Sequence, residues 1–254
     1  MVIYEYDGTF EGLLTCIFES YDRKQFPDVI NIRGNDPADL FLTVNFIESE
    51  PIKAERVWKK IQQLMPLPIN QIIYYAFLSE TKGIEMSILH FCRRLFQNEK
   101  NVYTDFGDND VLKIVQVARK VKREAARIKQ FVRFQEAKDG IYFSGIEPIY
   151  DVLPLVVSHF KHRYLDQKWL IYDLKRNYGA HYDLKTIDEV ELTSIELNQQ
   201  TGQISKNVLK EEDALYQTLW KSYFENINIE ERKNLRLQRQ MMPKRFWRYL
   251  TEKQ

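Results

Sequence analysis

The chain has 254 residues, 44% hydrophobic and 13% aromatic, with a formal net charge of +1. That length suffices for one large domain or two ordinary ones, and the apolar content excludes a disordered chain. Two cysteines, Cys16 and Cys92, exclude a disulfide framework or a cysteine-built zinc site, and near-neutrality makes any polyanion-binding surface a local feature.

In chain order, Val2 to Tyr6 and Leu40 to Ile47 read as strands, with a helix from Phe10 to Tyr21 entered through Asp7-Gly8-Thr9. Pro51 opens a helix to Met65, since a first helical position has no use for the missing N–H, and Pro66 and Pro68 stop it. Helical spacing continues over Ile69–Ser79 and Ile84–Phe96. Phe131–Glu136 and Gly140–Ile146 pair as strands around Asp139-Gly140, although helix can run into the first of them. A helix over Tyr150–Tyr164 follows, then strands at Trp169–Leu174, Tyr178–Asp183 and Glu189–Leu197, and helices at Leu209–Asn226 and Ile229–Met241. The expectation is an α+β protein. It has a small N-terminal α/β layer with helices (residues 1–107), then a long basic helix and a C-terminal mixed sheet packed with helices (residues 108–254).

The helix from Asp108 to Arg133 carries the strongest pattern. Val111, Ile114, Ala118, Val121, Ala125, Ile128 and Val132 recur at three- and four-residue steps, which places them on one buried face. The other positions hold Lys113, Arg119, Lys120, Lys122, Arg123, Arg127, Lys129 and Arg133 against a single acid, Glu124. Charge so one-sided points to a polyanion. A second basic group lies near the C-terminus: Arg232, Lys233, Arg236, Arg239, Lys244, Arg245 and Arg248, interleaved with Phe246, Trp247 and Tyr249. That mixture suits phosphate neutralisation beside base stacking, or else aromatic core caps with solvated charges between them. Helix-turn-helix, zinc-finger and RNP signatures are absent, so recognition would be of backbone, shape or an extruded base.

The densest polar stretch runs from Glu147 to Asp183. Glu147 and His159 could form an acid–base pair, although a carboxylate beside a helix N-terminus more often acts as an electrostatic cap. His159, His162 and His181 lack a metal-ligand pattern, and His90 and Cys92 point apart on one helix. No Walker or dinucleotide glycine loop occurs, and no cofactor is expected. The acidic N-terminus is unlike a signal peptide and no apolar run reaches membrane-spanning length, which predicts a cytoplasmic protein with no membrane partner.

The segments Tyr6-Asp7-Gly8-Thr9-Phe10-Glu11-Gly12, Arg123-Glu124-Ala125-Ala126-Arg127, Phe131-Val132-Arg133-Phe134, Ile146-Glu147-Pro148, His159-Phe160-Lys161-His162-Arg163-Tyr164 and Met242-Pro243-Lys244-Arg245-Phe246-Trp247 carry a family likeness. Through them the whole chain resembles a bacterial family of DNA repair or DNA metabolism proteins of unknown function. Genes of that family accompany one for a radical-SAM DNA modification or repair protein, and a related domain is fused to uracil-DNA glycosylases. The resemblance implies DNA and a radical-SAM enzyme as partners. It marks Arg123, Arg127, Arg133, Trp169, Lys244, Arg245 and Trp247 as nucleic-acid contacts, and Glu147, His159 and Arg163 as a base- or partner-facing pocket and the candidate catalytic group. The chain lacks the three-cysteine cluster of a radical-SAM iron–sulfur site, so that chemistry would belong to the partner. The expected role is an accessory that handles substrate. Two alternatives stand beside it: a nucleic-acid or nucleotide hydrolase using Glu147 and His159, and a structural protein–protein adaptor.

Overall fold

A computed structural model describes residues 1–34, 43–97, 102–192, 197–198, 203–204, 209–226 and 234–253. The fold is α+β, as expected, and the chain divides into two compact units, Met1–Lys122 and Arg123–Gln254.

In the first unit β1 (Val2–Tyr6) is the centre of a three-stranded parallel sheet, flanked by β2 (Val29–Ile32) and β3 (Thr43–Phe46) in the order β2-β1-β3. Between β1 and β2 runs α1 (Phe10–Asp22), whose first turn is capped by Thr9: its hydroxyl accepts the Gly12 N–H at 2.9 Å. Gly12 is needed there for space, because a Cβ would lie 2.4 Å from Asp7 Oδ1 and 2.7 Å from Ser49 Oγ. Pro51 opens α2 (Pro51–Leu64), followed by α3 (Gln71–Phe77) and α4 (Ile84–Phe96). The helices bury Tyr4, Tyr6, Leu13, Ile17, Ile61 and Phe91 in one core. β2 was not legible as a strand from its four residues alone.

The long helix, α5, spans Asn109–Phe131, and the division between the units falls within it. Asp108 caps it, accepting the Asp110 and Val111 N–H groups at 2.8 and 3.0 Å. These bonds hold the Asp108 carboxyl below its usual range. The expected seam is buried from Val111 through Ile128, with Val132 half-buried.

In the second unit β4 (Gln135–Glu136), β5 (Tyr142–Ile146), β6 (Trp169–Asp173), β7 (Tyr178–Tyr182) and β8 (Ile187–Val190) form a mixed sheet in chain order. β4 and β5 make the hairpin expected at Asp139-Gly140, where Gly140 takes φ +80°, a left-handed conformation suited to glycine. β5 and β6 are parallel, connected by α6 (Leu153–Arg163), while β6, β7 and β8 run antiparallel. A two-stranded pair, β9 (Leu197–Asn198) with β10 (Gln203–Ile204), precedes α7 (Glu211–Asn226) and α8 (Leu235–Met241). A 3-10 segment at Lys244–Tyr249 follows. The basic residues Arg232 and Lys233 lie outside the described residues. Among the described residues no helix is long and apolar enough to cross a membrane.

Candidate nucleic-acid interface

The cations of α5, with Arg133 just beyond its end, separate into two sets. Arg119, Lys120, Lys122 and Arg123 are exposed, Arg127 and Lys129 are half-buried, and none of the six pairs with an acidic side chain among the described residues. Lys113 and Arg133 serve the fold. Lys113 Nζ donates to the carbonyls of Lys82 and Gly83 at 3.1 and 3.0 Å, and Arg133 Nη1 donates to those of Gln130 and Val132 at 3.0 and 3.1 Å. Arg133 thereby covers carbonyls at the end of α5 that have no intrahelical partner.

Glu124 departs from the sequence reading, which counted it among the residues outside the seam. It is 2% exposed. It lies three residues after Val121 and four before Ile128, so helical geometry turns it inward beside the seam. The carboxylate accepts the Ile149 N–H at 3.1 Å and both terminal nitrogens of Arg245, one of them at 2.5 Å. Arg245 is also stacked on Phe246, with its guanidinium 4.2 Å from the ring centroid, and Phe246 packs on Phe131 at 5.0 Å. Arg245 is therefore a structural staple rather than a phosphate contact.

The loop Glu147–Asp151 is held in a similar way. Glu147 accepts hydrogen bonds from Arg248 and from the Tyr249 hydroxyl, the latter at 2.7 Å. Arg176 donates to the carbonyls of Pro148 and Ile149 and to the buried carboxylate of Asp173, while the Tyr178 hydroxyl donates to Asp151 at 2.5 Å. Burial raises the pKa of the Asp173 carboxyl and of the Tyr178 and Tyr249 hydroxyls. These contacts fix the entry to α6.

His159 and Arg163 are exposed near the end of α6. The His159 pKa lies below its ordinary value through desolvation first and then the positive charges of Lys129 and Arg163. No hydrogen bond or ion pair connects Glu147 to His159 among the described residues; the Glu147 carboxylate is instead held by Arg248 and Tyr249. His162 Nδ1 lies 2.6 Å from the Ser158 carbonyl oxygen, and the buried His181 Nε2 finds no partner. Among the described residues no group of three or more His, Cys, Asp or Glu is arranged to hold a metal ion.

Trp169 is also reassigned. At 1% exposure, between Phe160 and Tyr182 with ring centroids 6.4 and 5.5 Å away, it has no open face on which a base could stack. Trp247 is half-buried, its indole N–H donating to the Met242 carbonyl at 3.0 Å, and Lys244 stays exposed. The positive cluster that the fold brings together is Lys129 of α5 with His159 and Arg163 of α6. Sequence reasoning noted Lys129 only as one of many helix charges. Its proximity to α6 depends on packing between segments that the linear pattern does not connect.

A family described as Domain of unknown function (DUF4130) matches residues 82–252. The chain belongs to this family. The DUF4130 match takes in α4, all of α5, the mixed sheet and the C-terminal 3-10 segment, and so the Glu124–Arg245 staple, the clamped Glu147 loop and the positive cluster. No curated protein and no solved structure matches the chain.

Proposed function

We propose that this DUF4130 protein binds DNA through the cations of α5 and α6, as the substrate-handling accessory of a radical-SAM enzyme in DNA repair or modification. The supporting observation is the set of α5 cations that have no acidic partner among the described residues and are continued on α6 by Arg163 beside His159. Leaving such charges together has an electrostatic cost that a polyanion relieves. The family resemblance supplies the repair setting and the partner, and the missing iron–sulfur cysteines assign the redox chemistry to that partner. A hydrolase built on Glu147 and His159 has less support, because Arg248 and Tyr249 hold the Glu147 carboxylate.

The test is fluorescence anisotropy with a short labelled duplex across a salt series. Log affinity should fall with log salt by about 0.9 per phosphate neutralised, and Arg123→Gln with Arg127→Gln should flatten that slope. A protein that binds no DNA at low ionic strength defeats the nucleic-acid reading. Titration with the purified radical-SAM enzyme tests the accessory role: negligible affinity both with and without DNA removes it.

A further inference from the structure

An aromatic cleft of about 910 Å³ opens in the second unit. Its rings come from four places: Phe134 after α5, Tyr142 of β5, Tyr164 after α6, and Tyr216 and Trp220 of α7. The volume lies within the ~300–1,000 Å³ of small-molecule sites. One wall is pre-organised. Tyr164 lies parallel to Phe160 at 6.3 Å, and Phe134 meets both edge-on at 5.4 and 5.8 Å. The facing helix leaves Tyr216 65% and Trp220 42% exposed, so both rings add apolar surface to the cleft.

The polar groups suit a heterocycle. Asp213 accepts the Glu136 N–H at 3.2 Å and the Gln217 amide N–H at 2.7 Å, which orients the Gln217 carboxamide. No hydrogen bond among the described residues uses the Gln217 carbonyl oxygen or the Gln167 carboxamide, and both residues line the cleft. Together they present donors and acceptors to the edge of a ring. The positive cluster borders the pre-organised wall: the Arg163 guanidinium is 5.7 Å from the Tyr164 ring centroid, and the His159 ring is 5.3 Å from Phe160.

We infer that this cleft receives one unstacked nucleotide of a DNA strand, its base between the wall rings and Trp220 and its phosphate toward Arg163, His159 and Lys129. This rests on the DNA reading above and gives it a substrate form: a base already out of the duplex stack, presented by the protein to a partner's chemistry. An aliphatic groove would suit a lipid chain or a protein helix, whereas five rings with the Gln167 carboxamide and the Gln217 carbonyl oxygen suit a base.

The probes are a single-stranded oligodeoxynucleotide containing 2-aminopurine and the matched duplex. Wild-type protein should bind the single strand and change the 2-aminopurine emission. Trp220→Ala and Tyr216→Ala should each weaken that binding roughly tenfold, the size expected for loss of base stacking. Trp220→Phe should restore most of the affinity. The salt slope should stay at its wild-type value in all three variants, because stacking releases no counterions, and circular dichroism checks that α7 survives. Unchanged single-strand affinity in both alanine variants overturns the cleft and leaves DNA binding by α5 intact. Loss on Trp220→Ala combined with no effect of Arg123→Gln and Arg127→Gln overturns the α5 reading and retains the cleft. Self-association that Trp220→Ala abolishes would assign this face to a second copy and overturn the nucleotide proposal.

Discussion

Arg245 reaches across 121 positions of sequence to place both terminal nitrogens on the carboxylate of Glu124, which α5 carries at 2% exposure. Removing either partner leaves the other charge poorly compensated, and for a buried pair that costs about 3–5 kcal/mol. Arg245→Ala should therefore destabilise by about 3 kcal/mol, the lower end, since its own side chain is 29% exposed. The double replacement Glu124→Leu with Arg245→Met should recover most of the loss, because it removes both desolvated charges together. Urea unfolding measures both. A single Arg245→Ala change within experimental error of wild type would falsify the staple.

Arg127 and Arg245 are both cations of the basic segments but should behave as opposites. Arg127→Gln should lower DNA affinity and leave the urea midpoint in place, as it has no acidic partner among the described residues. Arg245→Gln should lower the urea midpoint, and its effect on affinity should disappear once unfolded protein is accounted for. Equal effects of the two substitutions in both assays would contradict the division between cations without an acidic partner and the stapled one.

His159 gives a pH readout of the positive cluster. Desolvation, Lys129 and Arg163 lower its pKa in the folded protein, so between that value and the ordinary 6.5 the unfolded chain binds more protons. The contribution of this group to stability therefore rises with pH through that window and is penalising below it. Lys129→Gln should move the pKa upward. Duplex DNA should move it upward further, since a phosphate favours the imidazolium. Histidine ring signals followed by NMR in a pH titration, with and without duplex, test both shifts; a pKa that is unchanged or lower with DNA argues against phosphate at this cluster.

Gly12 sets a steric test at the start of α1. Alanine is favoured over glycine inside a helix by about 1 kcal/mol, yet its Cβ would come within 3.0 Å of Asp7, Ser49 and Tyr6. Asp7 cannot yield readily, because it also accepts the Thr9 N–H at 2.9 Å and the Ser49 hydroxyl at 2.6 Å. Overpacking should win, and Gly12→Ala should destabilise by about 1–3 kcal/mol. Thermal unfolding decides the sign, and a raised midpoint would show that the cradle gives way.

Local signals were legible where local physics decides. The α5 seam, the Pro51 start, the Asp139-Gly140 turn and the strand Val2–Tyr6 follow from side-chain period, a missing N–H, left-handed backbone and β-branched or aromatic content. β2 was missed because four residues between Pro27 and Gly34 become a strand only by pairing with β1. The site residues divided on the same principle. Charge composition marks Arg123 and Arg127 as cations of the long helix, and neither has an acidic partner among the described residues. Glu124, Glu147, Trp169 and Arg245 look alike on paper whether they face solvent, substrate or core. Only the tertiary structure decided them, because burial and ion pairing depend on separate segments coming into contact, over more than a hundred positions for Glu124 with Arg245 and Glu147 with Arg248, and between α6, β6 and β7 for Trp169.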